Sequence, residues 1–306
     1  MRLRPATPDD LSAVFSVMAA RDRADLGRPD VTPQELSHRW NASEFGLAEN
    51  ALVAELRDGG VAAYAEANRH GGLIVVAPAH DADEHLGMAL LSWTEQRERA
   101  LAHERFHQLI AAGNERGRKL AERGGYALTR HLWRMVRPLD SSQDIPSAPL
   151  PPGVTTRLPA IERDATALHA IDEISFSADP DYVGISLTGF IEQHLRAHDA
   201  DLTLSSVAER DGQLIGFLLC RRRDEERAGF IDLLAVHPAH QRHGLGRALL
   251  LAAFTRIAAA GLGEAQLTVS SANARGLALY ESVGMTVRFQ HDIWERDAAN
   301  SDNTTG

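Results

Sequence analysis

The chain repeats itself, and the repeat limits the possible folds more than any other feature of the sequence. Val76-Ala-Pro-Ala-His-Asp is answered by Val236-His-Pro-Ala-His-Gln, and Asn114-Glu-Arg-Gly-Arg-Lys-Leu-Ala-Glu-Arg-Gly-Gly by Asn273-Ala-Arg-Gly-Leu-Ala-Leu-Tyr-Glu-Ser-Val-Gly, at almost the same distance from the first match. Two matches in register imply a duplicated unit. A chain of 306 residues has room for two such units, each with its own core. The proline- and serine-rich run from Pro138 to Gly153 breaks any helix or central strand, which makes it the linker. The expected division is a domain at 1–137, a linker at 138–152, a second domain at 153–297 and a polar, disordered tail at 298–306.

Hydrophobic periodicity gives the two halves a similar order. The first reads as a strand at Leu3, a helix from Pro8 to Ala20, a helix capped by Thr32-Pro-Gln-Glu and strands at 52–56, 61–67 and 72–76. Helix 84–102, strand 106–110, helix 114–123 and strand 126–136 complete it. The second runs strand 154–158, helices 160–176 and 187–197, then strands 206–209, 213–222 and 229–236. No apolar run is long enough to span a bilayer and the start is not signal-like, so a cytoplasmic protein with no membrane contact is expected. A net charge of −10 argues against nucleic-acid binding and favours a cationic partner. The single cysteine, Cys220, lies in an apolar strand, where it reads as a buried, inert thiol.

The chemistry concentrates after the strand 229–236. Gln241-Arg-His-Gly-Leu-Gly joins that strand to an amphipathic helix beginning near Arg247. Gly244 and Gly246 can turn backbone N–H groups toward one point, to which the helix start adds its positive dipole end. Arg242, His243 and Arg247 add positive charge, which suits a diphosphate; an ordinary tight turn is the alternative. No Gly-Lys-Ser/Thr follows, and a dinucleotide fingerprint would want glycine at Leu249, so both of those phosphate motifs are excluded.

Gln241-Arg-His-Gly-Leu-Gly resembles the Gln/Arg-x-x-Gly-x-Gly/Ala signature of the GNAT superfamily of acyl-CoA-dependent N-acyltransferases, and Leu234-Ala-Val-His-Pro before it and Asn273 to Met285 after it stand in the expected order. The resemblance implies two tandem GNAT-like domains of the α/β (α+β) class, each a mixed, mostly antiparallel sheet flanked by helices, an arrangement similar to that of mycothiol synthase-like acyltransferases. It implies acetyl-CoA as cosubstrate, bound by Leu234, Ala235, Val236, Gln241, Arg242, His243, Gly244, Leu245, Gly246, Arg247, Asn273 and Tyr280. It also implies direct attack by a primary amine of a small molecule or peptide, with the protein a monomer or homodimer. A non-catalytic acyl-CoA sensor is the alternative. Tyr280 lies two helical turns after Asn273, on the same face, and is the candidate proton donor to the leaving thiolate; a core aromatic is the bland reading. Asp232 is the candidate base. Strand alternation sets it on one face with Phe230, Leu234 and Val236, where a raised pKa would suit that task, and an ion pair with Arg221, Arg222 or Arg223 is the equal alternative, with Glu209 the fallback. Mycothiol synthases carry a glutamate where this chain has Phe230. Asp179, Asp181 and Tyr182 could grip a cationic amine, or Asp-Pro-Asp could simply form a turn.

Aligning Pro78 with Pro238 sets Asp81, Asp83 and Glu84 against Gln241, His243 and Gly244, and Ala121 against Tyr280. Three carboxylates would then crowd the first cradle, each costing on the order of 1 kcal/mol toward a diphosphate. The second domain is therefore the expected active one. No metal is expected. His237-x-x-His240-x-x-His243 lies in the phosphate loop, the cluster His80, Asp81, Asp83, Glu84, His85 lacks a helical histidine pair, and a strand at 106–110 should separate His103 from His107.

Overall fold

The computed structural model describes residues 1–139, 145–177, 179 and 182–299. Both halves begin with the same electrostatic clasp. On strand β1 (Arg2–Pro5) Arg4 forks onto Asp10 with two bonds of 2.8 Å, and on the equivalent strand of the second half Arg157 forks onto Asp164 at 2.7 and 2.9 Å. Each carboxylate also accepts a backbone N–H, from Thr7 and from Ala160 respectively. One guanidinium thereby ties the first strand to the helix start that follows it.

After the clasp, the first half continues with α1 (Leu11–Leu26), α2 (Pro33–Asn41), α3 (Leu47–Asn50), β2 (Ala51–Glu55), β3 (Val61–Asn68), β4 (Gly71–Val76), α4 (Glu84–Ala100), β5 (Arg105–Ala111), α5 (Glu115–Arg123) and β6 (Ala127–Pro138). The second half follows with β7 (Val154–Arg157), α6 (Ile161–Phe176), α7 (Leu187–Phe190), β8 (Ser206–Arg210), β9 (Gln213–Arg223), β10 (Ala228–Val236), α8 (Leu245–Ala259), β11 (Glu264–Ser270), α9 (Ala274–Ser282) and β12 (Thr286–Asp297). Past the first strands, the two element orders coincide from β2 to β6 and from β8 to β12. The repeated Pro-Ala-His motifs are short 3₁₀ turns after β4 and β10, and the repeated asparagines are helix caps: Asn114 accepts from Gly117 N and Asn273 from Gly276 N, both at 2.8 Å.

The two units differ from the division the linker suggests. Unit 1 is Met1–Leu132 together with the segment from Phe289 onward, and unit 2 is Trp133–Arg288. In unit 1 the strand order is β1-β2-β3-β4-β5-β12, with β12 antiparallel to β5 from His291↔Ala111 to Asp297↔Arg105. In unit 2 the order is β7-β8-β9-β10-β11-β6, the last strand supplied by Trp133–Pro138. The cores agree: Trp294 packs with Phe106, Ile110 and Tyr126, while Met135 and Leu139 join Leu249, Phe254 and Leu267. Duplicated units offer nearly the same sheet edge, so the closing strand of either copy can complete either sheet. Leu139, Ile145 and Ala148, from the expected linker, pack on the unit 2 core. Residues 140–144 and most of the expected disordered tail lie outside the described residues.

Each sheet has helices on both faces. In unit 2, Leu168, Ile171, Phe190 and Leu195 cover Val207, Phe217, Leu219 and Ala235 on one face, and α8 packs on the other. In unit 1, α1 and α2 cover Val53, Tyr64 and Val75, opposite Leu86 and Leu90 of α4. Cys220 is fully buried, with its thiol pKa pushed up by burial, in agreement with an inert role.

The clasps set a pH dependence. The hydrogen bonds from Arg4 hold the Asp10 carboxyl at about 2. Burial alone would raise Asp164, but Arg157, the Ala160 amide and Arg163 bring it to about 2 as well. Both folded values lie below the unfolded carboxylate value, so this stability is complete above that value and is lost as pH falls toward 2. Asp164→Asn should cost about 2 kcal/mol at pH 7 by urea unfolding, and the gap from wild type should narrow as the pH drops below about 4. A gap that does not change with pH would show that packing, not charge, makes the clasp.

Candidate active site

The helix that follows the central strand has different N-terminal chemistry in the two units. In unit 2, Gly244 is the N-cap of α8, with φ +83°, and Arg242 is also left-handed at +66°. Two left-handed residues on either side of His243 curl the loop into a concave nest of amides, and the first amides of α8 have no partner within the helix. An added Cβ at Gly244 would meet nothing within 4 Å, so the mouth is open. Arg242 and His243 are exposed around it. In unit 1, Asp83 is the N-cap of α4 and its carboxylate accepts from Leu86 N at 3.0 Å. The unit 1 cradle is therefore plugged by its own side chain.

That comparison corrects the sequence alignment by one residue, because the loop before α4 is one residue shorter and the cap positions pair Asp83, not Glu84, with Gly244. It also redistributes the charges. Asp81 is paired with Arg21 at 2.7 Å and Glu84, in the first turn, with Arg123 at 2.7 Å, so of the three carboxylates Asp83 is the one that accepts from an amide of the helix start.

Strand β10 presents the second part of the site. It pairs in parallel with β11 only from Ala228 to Phe230, whereas its antiparallel pairing with β9 runs on to Val236↔Gly216. Beyond Phe230 the edge of β10 toward β11 is free of strand pairing among the described residues, and Leu234–Val236 lies on that edge. The Val236 carbonyl is bonded by Gln241 Nε2 at 2.9 Å and Ser175 Oγ at 3.2 Å. Gln241 thereby ties the loop to the strand end, and Arg275 donates to its other side-chain atom. Arg247 reaches sideways to Ser282, at 2.8 Å from its hydroxyl, rather than over the nest. It shares a cavity of about 400 Å³ with the buried Arg137, whose pKa is lowered by burial and by the Arg247 charge.

Tyr280 is half-buried against Leu277, Leu279 and the α8 core. Burial pushes its phenol up to about 12, so it is protonated at neutral pH and able to donate. The carbonyl oxygen of the Asn273 side chain is taken up by the helix cap, which leaves only its amide NH₂ for a ligand.

For Asp232, strand alternation misleads. A β-bulge between Ile231 and Leu233 inserts one residue, so Asp232 faces α6 and α7 with Leu233 and Ala235, while Leu234 and Val236 face α8. The raised pKa does not follow either. Burial would raise it, but Arg221 Nε at 2.9 Å and His194 Nδ1 at 2.7 Å hold the carboxyl well below the usual range. The ion-pair alternative describes the geometry, with Arg221 as partner; Arg222 pairs instead with Asp201 and Arg223 with Glu226. Glu209 is engaged by Arg157.

Beside this pair lie two residues that sequence reasoning passed over, His194 and Asp172. Asp172 is 3% exposed, its Oδ1 has no partner among the described residues, and burial raises its pKa. Tyr182 donates to its Oδ2 at 3.2 Å and stacks on Phe176. The signal was available, since a carboxylate four residues after Leu168 sits on the apolar stripe of α6. Asp179 closes a turn through its carbonyl to Tyr182 N, as the turn reading expects, and Asp181 lies outside the described residues. Phe230 lies between two guanidiniums, Arg134 and Arg223, at 4.8 and 4.3 Å. His103 and His107, which the strand was expected to separate, are brought to a ring distance of 6.0 Å.

Comparison with known proteins gives a consistent assignment. The model of the acetyltransferase (GNAT) family matches residues 167–285. A mycothiol acetyltransferase of Streptomyces coelicolor is 30% identical over 303 residues, 96% of this chain and 94% of its own. One from Thermomonospora curvata is 32% identical over 297 residues, 94% and 93% of the two chains. Among solved structures, a GCN5-related N-acetyltransferase from Sphaerobacter thermophilus superposes with a TM-score of 0.78 at 24% identity, covering 97% of this chain and 95% of its own. A tandem GNAT protein of the clavulanic acid biosynthesis pathway gives 0.70 at 14% identity, covering 97% and 98%.

Gly244→Asp tests the nest by giving unit 2 the cap that unit 1 carries. Calorimetry should show CoA affinity falling by roughly fivefold or more, because a like charge a few ångströms from a diphosphate costs on the order of 1 kcal/mol. The melting temperature should fall slightly, since a side chain at φ +83° costs on the order of 1 kcal/mol in backbone strain. Unchanged affinity would remove the loop from the binding site.

Proposed function

We propose that this chain, which belongs to the GNAT acetyltransferase family, carries out its acetyl-CoA-dependent N-acetyl transfer in unit 2 alone, with a cationic primary amine of a small molecule or peptide as acceptor. The observation that carries the reading is the glycine-capped start of α8 beside the unpaired edge of β10, against the aspartate-plugged start of α4. A diphosphate fits the first and meets a carboxylate at the second. A non-catalytic sensor is set aside, because the family and the relatives are acetyltransferases.

Acetyl-CoA supplies the activated acyl group. The amides from Arg242 to Arg247 hold the diphosphate, and Arg137 and Arg247 on their shared cavity suit the remaining phosphate. Backbone N–H groups of Leu234–Val236 hold the thioester carbonyl. The ammonium of the acceptor is drawn by the unpaired oxygen of Asp172 and by Tyr182, then loses its proton to His194, which Asp232 orients through Nδ1 and leaves with Nε2 available. Asp232, low in pKa and paired with Arg221, is thus a positioning residue rather than the base. Tyr280 gives a proton to the leaving thiolate and is restored by the second proton, which the nitrogen sheds as the C–S bond breaks and the amide forms. Phe230 replaces a carboxylate that mycothiol synthases place on this strand, so the acceptor of this chain is a different amine from that of its mycothiol acetyltransferase relatives, or the same amine with its proton accepted at His194.

Tyr280→Phe should lower kcat roughly tenfold or more at unchanged acetyl-CoA affinity, read by thiol release in the presence of an amine panel. His194→Gln should lower kcat by about 100-fold, while Asp232→Asn, which removes only the orienting charge, should lower it less. If His194→Gln leaves the rate intact, the proton goes elsewhere. One CoA per chain is expected in a titration, and a second in unit 1 would overturn the division of labour.

A further inference from the structure

A group in unit 1, on elements that carry none of the proposed transfer residues, has the composition of a metal site. Glu98, near the end of α4, is 0% exposed, and its Oε1 accepts the His107 backbone N–H at 2.8 Å while Oε2 has no partner among the described residues. Ala102, left-handed at φ +61°, turns the chain sharply so that His103 N bonds back to Glu98 O at 3.0 Å. β5 then carries His107 back past the same carboxylate. The result is that His103 Nδ1 and His107 Nδ1 each stand 3.7 Å from Glu98 Oε1, and the ligand atoms of all three residues lie within 4.8 Å of one another.

Those distances decide between two accounts. A direct hydrogen bond would bring nitrogen and oxygen to about 2.9 Å, whereas two ligands of one tetrahedral zinc ion, with bonds near 2.0–2.1 Å, stand about 3.3 Å apart. The observed separations are too long for the first and slightly wide for the second. His107 Nδ1 is buried without a partner, and the other ring nitrogen, Nε2, lies 3.3 Å from Glu295. A carboxylate behind a histidine is the usual outer support of a metal-bound imidazole, and it directs the free lone pair of Nδ1 toward the Glu98 side. Glu295 is in turn gripped by Arg130 and Arg105.

The geometry points to Glu98, His103 and His107 as a binding site for one divalent ion of the zinc type, with Glu295 positioning His107. The fourth position is open to Glu98 Oε2 or water. The ion would pin the end of α4 to the start of β5 and takes no part in acetyl transfer.

The test uses the full chain, free of any histidine tag and dialysed against chelator, titrated with zinc against a chromogenic competitor and separately with cobalt(II) as a spectroscopic probe. One equivalent should bind, with the intense visible bands of tetrahedral cobalt, and the melting temperature should rise. Glu98→Gln and His107→Gln should abolish uptake, and Glu295→Gln should weaken it roughly 10- to 100-fold. Both ligand variants should melt no lower than the metal-free wild type, which separates loss of the site from loss of the fold. His240→Asn controls for the half-buried His237 and His240 pair, whose rings lie 5.8 Å apart. Absence of uptake by the wild type, octahedral cobalt spectra, or uptake that survives Glu98→Gln and is lost in His240→Asn would overturn the proposal.

Discussion

The arrangement of unit 2 depends on β10 leaving its neighbour after Phe230. A strand buried in the middle of a sheet normally spends every backbone group on its two partners. Here the far half keeps one partner and releases the other edge, and the bulge at Asp232 absorbs the change of register. The same irregularity does two jobs. It exposes backbone donors at Leu234–Val236, and it rotates Asp232 to the opposite face, where His194 and Arg221 meet it. The free edge and the cluster of Asp232, His194 and Arg221 both adjoin that one inserted residue.

Duplication shows which parts of the motif are architecture. Asn114 and Asn273 cap equivalent helices by the same bond, and the Pro-Ala-His turns recur, although the helices that follow those turns carry different caps. What separates the units is the occupant of the helix N-terminus. Asp83 satisfies the α4 amides permanently, while Gly244 leaves those of α8 to solvent or a ligand. One side chain at a cap position is enough to convert a binding element into a structural one.

Much of this was legible in the sequence because it rests on local chemistry. The repeat, the Gly244 loop and the Asn273-to-Tyr280 spacing all follow from short-range rules. What escaped detection depends on residues far apart in the chain. Alternation assigned Asp232 to a face, and a bulge, which leaves no mark in composition, moved it. Asp172 and His194 sit on helices whose contact with β10 cannot be inferred from periodicity alone, and the approach of His103 to His107 depends on a left-handed alanine in the short connection between α4 and β5. The alignment of the two cradles slipped by one because the loops differ in length by one.

The composition of unit 1 bears on the order of events during synthesis. Its sheet is completed by residues 289–297, whose Trp294 covers Phe106 and Ile110. Those residues leave the ribosome after nearly all of unit 2. For that interval β5 is a bare edge above an uncovered aromatic cluster, the condition under which nascent chains pair wrongly or seek chaperones. The usual sequence, in which the N-terminal domain folds first and waits, is closed to this chain. Its first unit is the last to be finished, and the loop closure required, from Arg105–Ala111 to His291–Asp297, spans the whole of unit 2, which makes high contact order and slow maturation built-in properties of the exchange.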